Sequence, residues 1–185
     1  MHPTTDFVRR ALANWPVAPA VDVRLVNYSE NHTFSVTAAD GARYCLRVHR
    51  PGYQSPRTIA SELAWLDALR RDTGLPIPHP RTGRDGSPLQ RIEDGDHARY
   101  CVLFDHIEGD EPAFGAGLAP IFEALGSYAA QMHDHAARWA RPADFHRQSW
   151  SAGQVLDADG LWGDWRRGPG VTSGVRAVLD RLDER

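Results

Sequence analysis

Residues Cys45 to Leu66, CLRVHRPGYQSPRTIASELAWL, restrict the fold more tightly than any other stretch of the chain. Side chains alternate across a strand, so Tyr44, Leu46 and Val48 point one way and Cys45, Arg47 and His49 the other. Ser55-Pro56 then supplies an N-cap hydroxyl and a first-turn proline, which start a helix. Ile59, Leu63, Leu66 and Leu69 recur on that helix as an apolar stripe, and Glu62 falls in the same sector. A carboxylate on a buried stripe is costly unless a cation meets it there. Arg47, on the strand just before, is the nearest candidate. Taken singly, each charge reads equally as a solvated residue at the edge of its face. Placed on consecutive elements that must pack, the two read as a pair.

The rest of the chain supplies the setting for this strand and helix. An opening helix runs from Thr4 or Thr5 to Asn14 and ends before Pro16 and Pro19. Val21 to Tyr28 and Thr33 to Ala38 read as strands, and Asp40-Gly41 turns the chain into Arg43 to His49. Gly74 closes the long helix, and PIPHP leads away in extended form. Turns at Asp85-Gly86 and Asp94-Gly95 bound two more strands, Pro88 to Ile92 and Arg99 to Phe104. After Asp105 the pattern becomes helical. Leu118, Ile121, Phe122, Leu125, Tyr128, Ala129 and Met132 share one face up to Trp139. A tryptophan- and glycine-rich connection, Trp150 to Gly170, precedes a last helix with Val175, Val178, Leu179 and Leu182 as its stripe. Strands with one inserted helix, then helices only, is an α+β order.

Composition argues against several partners. A net charge of −3 offers no basic field for nucleic acid or anionic lipid. No apolar run approaches the roughly 20 residues that cross a bilayer, and MHPTTDFVRR lacks a signal-peptide pattern. Cys45 and Cys101 sit in strand-like runs and read as buried free thiols of a cytoplasmic protein. His133 and His135 stand two apart on a helix and so do not face each other, which is poor geometry for joint metal ligation. No Ser/His/Asp set or activated cysteine is signalled. The six tryptophans read as packing, or as a substrate wall. The polar turn Tyr28-Ser29-Glu30-Asn31-His32 is either an ordinary hairpin turn or a phosphate contact through its amides, Ser29 and Asn31. The run YCVLFDHIEG, from Tyr100 to Gly109, is a strand ending in a polar link.

The order of sheet, inserted helix, link and helical segment, with LRVHRPGY, SELAWLDALRRDTGLPIPHP, VLFDHIEGDEP and MHDHAARWARPADFHR, resembles the aminoglycoside phosphotransferase family of kinase-like enzymes. Within it the chain is similar to the branch called phosphotransferase enzyme family, from about Val23 to Leu182. The resemblance implies a protein-kinase-like fold. Residues 1–104 would be a nucleotide-binding lobe with a five-stranded antiparallel sheet and one inserted helix. Residues 105–110 would be a hinge, and 111–185 the first helices of an incomplete helical lobe. It implies ATP as cofactor and a small-molecule or protein hydroxyl as acceptor. Arg47 takes the position of the family's strand lysine, which contacts the α and β phosphates, and Glu62 that of the glutamate orienting it. Phe104 becomes the gatekeeper, with the backbone of Asp105 and Ile107 at the adenine edge.

One part of the pattern is missing from the sequence. Such enzymes carry a His-x-Asp-x-x-x-x-Asn loop followed by an acidic Mg²⁺ ligand, and no asparagine follows Asp134 in this chain. No catalytic residue and no metal ligand are therefore assigned, and Mg²⁺ is expected to belong to the full-length family. The chain resembles the first half to two-thirds of such an enzyme, inactive alone, with a dimer or a separate C-terminal half as its expected partner. The alternative is a non-catalytic module derived from a kinase lobe, which binds a nucleotide or a partner.

Overall fold

The computed structural model describes residues 3–183 apart from 110, 111, 113, 114, 116, 152, 155, 156, 161 and 162. Asp110, Glu111 and Trp162, and the side chain of Leu182, thus lie outside the described residues. Strands β1 (Ala20–Tyr28), β2 (Asn31–Ala38), β3 (Arg43–His49), β4 (Leu89–Asp94) and β5 (His97–Asp105) form one antiparallel sheet in the order β1-β2-β3-β5-β4. Helices α1 (Thr5–Leu12), α2 (Pro56–Asp72), α3 (Leu118–Arg138) and α4 (Ser173–Asp183) complete the α+β order. Gly41 at φ 84° makes the expected turn between β2 and β3, where the Asp40 carboxylate accepts from the Ala42 amide at 3.0 Å.

Each face of the sheet is covered by one helix, and strand alternation decides which side chains meet it. Phe7, Val8, Ala11 and Leu12 of α1, with Trp15 beyond its end, pack on Phe34, Val36, Leu46, Val48 and Leu103. The Trp15 indole is fully buried and donates to the Arg81 carbonyl at 3.0 Å. On the opposite face, Ile59 and Leu63 of α2 cover Val102 and Phe104. Burial of large apolar side chains of this kind stabilises by about 1.5–3 kcal/mol each.

Both helix starts follow the sequence. Thr4 accepts from the Phe7 amide at 3.2 Å, and Ser55 accepts from the Thr58 amide at 3.2 Å. The end of α2 does not. Thr73 terminates it in an extended conformation, and its hydroxyl donates to the Leu69 carbonyl at 2.6 Å. A side chain satisfies the exposed end, so Gly74 has no left-handed cap to make. Cys101 is buried as expected, whereas Cys45 is only partly so; both thiols are free. The extended PIPHP segment extends the pairing of β5. Arg81 N–H donates to the Leu103 carbonyl at 2.7 Å, and Asp105 N–H to that of His79 at 3.0 Å.

The chain divides into two units, Met1–His146 and Arg147–Arg185. In the first, the predicted face of α3 is exposed at Ile121, Phe122, Leu125 and Tyr128. In the second, a short 3₁₀ turn at Trp165–Arg167 is tied to α4 by an Arg166–Asp180 ion pair of 3.5 Å. Val175 and Val178 of α4 are exposed. Among the described residues no helix is long and apolar enough to cross a membrane.

Candidate functional site

On the α2 face of the sheet, antiparallel register brings polar strand residues into rows. Thr33, Arg47 and Val102 form one row, and Ser35, Cys45 and Phe104 the next. Pairing of β1 with β2 shifts between Leu25 and Asn27, which leaves Val26 as the extra residue of a bulge. A bulge re-aims its side chain, and Val26 here joins the wall of a cavity of about 270 Å³. Cys45, Phe104 and Pro78 add apolar walls, Thr33, Ser35 and Arg47 a polar end, and Asp105, His106 and Ile107 the side where the chain leaves β5.

Arg47 is fixed from two sides. Its Nη1 lies 2.6 Å from Glu62 Oε1, with the two side chains 29% and 24% exposed. Its guanidinium carbon lies 5.0 Å from the centroid of the Phe104 ring, within cation–π range. The expected strand-to-helix pair is therefore formed, partly buried in the wall of the cavity rather than sealed in a core. A guanidinium held this way still presents free donors of its planar fork, the geometry that suits phosphate oxygens.

The link after β5 is braced by charge. Arg81 stands 3.6 Å from Asp105, and Arg43 2.6 Å from Glu108. The Asp105 amide is engaged with His79, whereas the Ile107 N–H has no acceptor among the described residues. Ile107 is also one of the residues that line the cavity.

Next along β3, His49 is buried beside the ion pair, and neither ring nitrogen has a hydrogen-bond partner among the described residues. Burial pushes its pKa down to about 4, with the positive charge of Arg47 adding to the effect and Glu62 opposing it. Burial also raises the Cys45 thiol, against the pull of Arg47.

Of the seven residues expected at the site, Arg47, Phe104, Asp105 and Ile107 line the cavity, and Glu62 meets it through Arg47. Ser29 and Asn31 stand at the β1–β2 turn, outside the lining. The Ser29 amide donates to the Asn31 carbonyl at 3.1 Å, and the Ser29 hydroxyl holds the exposed Glu30 carboxyl below its ordinary range. Asn31 Oδ1 is buried without a partner among the described residues. Sequence reasoning missed Val26, Thr33, Ser35, Cys45, Pro78 and His106. The alternation of β2 and β3 signals the faces of Thr33, Ser35 and Cys45, but nothing local signals the bulge at Val26. His135, the other histidine of interest, is hydrogen-bonded to Trp65 and Asp72. Among the described residues no three or more His, Cys, Asp or Glu side chains cluster as a metal site. The cavity thus brings the guanidinium of Arg47 together with the apolar side chains of Val26, Pro78 and Phe104.

An antiparallel five-stranded sheet with a helix inserted after its third strand, joined to it by an ion pair, is a protein-kinase-like arrangement. The chain belongs to the phosphotransferase enzyme family, which it matches over residues 23–184. Among solved structures it is similar to a microcompartment-associated aminopropanol kinase, with 35% identity and a TM-score of 0.83 over 98% of this chain and 55% of that one. It also shares its fold with an amicoumacin kinase solved with AMP-PNP and Ca²⁺, with 20% identity and a TM-score of 0.76 over 99% of this chain and 52% of that one. The chain thus spans about half the length of these structures. No curated protein matches it.

Proposed function

We propose that the chain is the nucleotide-binding part of an ATP-dependent phosphotransferase that moves the γ-phosphate to a hydroxyl of a small molecule or protein. The observation that carries this reading is the guanidinium of Arg47, held by Glu62 and Phe104 in the wall of a cavity that also has apolar surfaces. The base would lie between Val26, Cys45 and Phe104, with its edge toward the Ile107 amide. Arg47 would neutralise the α and β phosphates, and Glu62 would keep its fork aimed there. A divalent ion would offset charge on the transferring phosphoryl group, and its ligands are not among the described residues. The AMP-PNP and Ca²⁺ bound by the amicoumacin kinase support nucleotide and divalent-ion use in this fold. Free thiols at Cys45 and Cys101 favour a reducing, cytoplasmic setting.

Transfer by these 185 residues alone would lack a His-x-Asp loop, so we take the isolated chain to bind nucleotide without turning it over. The exposed apolar face of α3, at Ile121, Phe122, Leu125 and Tyr128, supports a polypeptide partner that completes the helical lobe. A coupled assay of the purified chain with ATP, Mg²⁺ and a panel of amino alcohols tests this. Background turnover is expected, with binding of a fluorescent ATP analogue retained. Turnover well above background would overturn the claim of inactivity, and absence of nucleotide binding would overturn the reading itself.

A further inference from the structure

Helix α2 carries Glu62, and two stripes bracket that residue. At about 100° per residue, Ile59, Leu63 and Leu66 lie on one side of Glu62 and face the sheet. Arg57, Ser61, Trp65 and Asp72 lie on the other. Every residue of this second stripe is hydrogen-bonded to the segment from His135 to His146. Arg57 Nε donates to the Asp144 carbonyl at 3.0 Å, and Ser61 Oγ accepts from the His146 amide at 2.9 Å. His135 binds two members at once: Trp65 Nε1 donates to its Nδ1 at 3.3 Å, and its Nε2 lies 3.0 Å from Asp72 Oδ2.

The protonation of His135 follows from these partners. An indole N–H only donates, so Nδ1 accepts, and the proton resides on Nε2, which donates to the carboxylate. The ring is about nine-tenths buried, with both nitrogens satisfied by α2. His135 and Arg71 together hold the Asp72 carboxyl below its ordinary range, Arg71 more strongly.

Apolar contact with the sheet is non-directional and leaves a packed helix some freedom to roll. Directional bonds along the second stripe remove that freedom. Glu62 lies between the stripes, so the roll of α2 sets how far its carboxylate stands from Arg47. We propose that His135 is a positioning residue for the phosphate clamp: with Asp144 and His146 it fixes the roll of α2 and thereby holds Glu62 on Arg47. Its consequence for nucleotide binding rests on the reading of the Arg47 cavity given above, whereas the mechanical coupling does not.

A double-mutant cycle on the full chain separates the two. His135→Phe keeps the ring and removes both bonds, Glu62→Gln weakens the clamp, and each variant and the pair are read by urea unfolding and by ATP binding. Coupling of at least about threefold in the unfolding constant is expected. The ATP dissociation constant should rise several-fold in His135→Phe, but not further when Arg47→Ala is already present. Asp72→Asn, which still accepts from Nε2, should retain most of the wild-type affinity where Asp72→Ala does not. Additive unfolding effects, or an unchanged loss from His135→Phe in the Arg47→Ala background, would overturn the proposal. A wild-type chain that binds no ATP would overturn the nucleotide reading, and the unfolding cycle would still decide the coupling.

Discussion

Acidification should destabilise this protein through the buried His49. His49 is buried beside Arg47, and its pKa falls from 6.5 to about 4 on folding. A group with a depressed folded pKa takes its proton first in the unfolded chain. Stability is thus complete above the unfolded value and falls as pH drops from about 6.5 toward 4, where the loss levels off. At 1.36 kcal/mol per pKa unit the limiting loss is about 3 kcal/mol, of which about 2 kcal/mol appears between about pH 7 and pH 5. Carboxylates contribute to any acid transition, so the control is His49→Leu, which removes the titrating group at similar size. Because neither ring nitrogen is partnered among the described residues, that substitution sacrifices no seen hydrogen bond. Urea unfolding across this pH range should show the wild type losing about 2 kcal/mol more than the variant. Parallel curves for the two proteins would refute the reasoning, because they would mean that His49 titrates alike folded and unfolded.

Other consequences follow from single contacts. Glu62→Ala leaves Arg47 partly buried without its carboxylate and should cost about 2 kcal/mol in urea unfolding, between the values for an exposed pair and a fully buried one; a change within about 0.5 kcal/mol would mean that water already solvates both charges. Trp15→Ala empties the core under α1 and removes the donor to Arg81, so a loss of about 3–5 kcal/mol is expected by the same assay. Ile107→Pro deletes a backbone donor that bonds to nothing among the described residues, so ATP should bind about tenfold more weakly. Unchanged affinity in that variant would remove the link after β5 from the site.

Much of this arrangement is legible in the residues themselves. Alternation at Tyr44 to His49 and the Ser55-Pro56 start of α2 determine which way Arg47 and Glu62 face, and the structure joins them. Ends and walls are less legible. Thr73 stops α2 with its own hydroxyl, a local bond that competes with the glycine signal one residue later. Val26 reaches the cavity through a bulge that exists only once β1 pairs with β2. Pro78 and His106 meet the same cavity because PIPHP pairs along β5, a contact between segments far apart in sequence. His135 reads only as half of a poorly spaced metal pair until α3 lies against Trp65 and Asp72. Side-chain direction follows from period, but neighbours across the sheet follow from register, and register needs the fold.

The nucleotide site turns on whether Arg47 holds a phosphate chain. Calorimetric titration of ATP into the wild type and into Arg47→Ala measures that. The wild type should bind, with a loss of at least about tenfold in the variant, as expected for removing a charge-assisted contact. Equal affinity in the two proteins, or no binding in either, would contradict this.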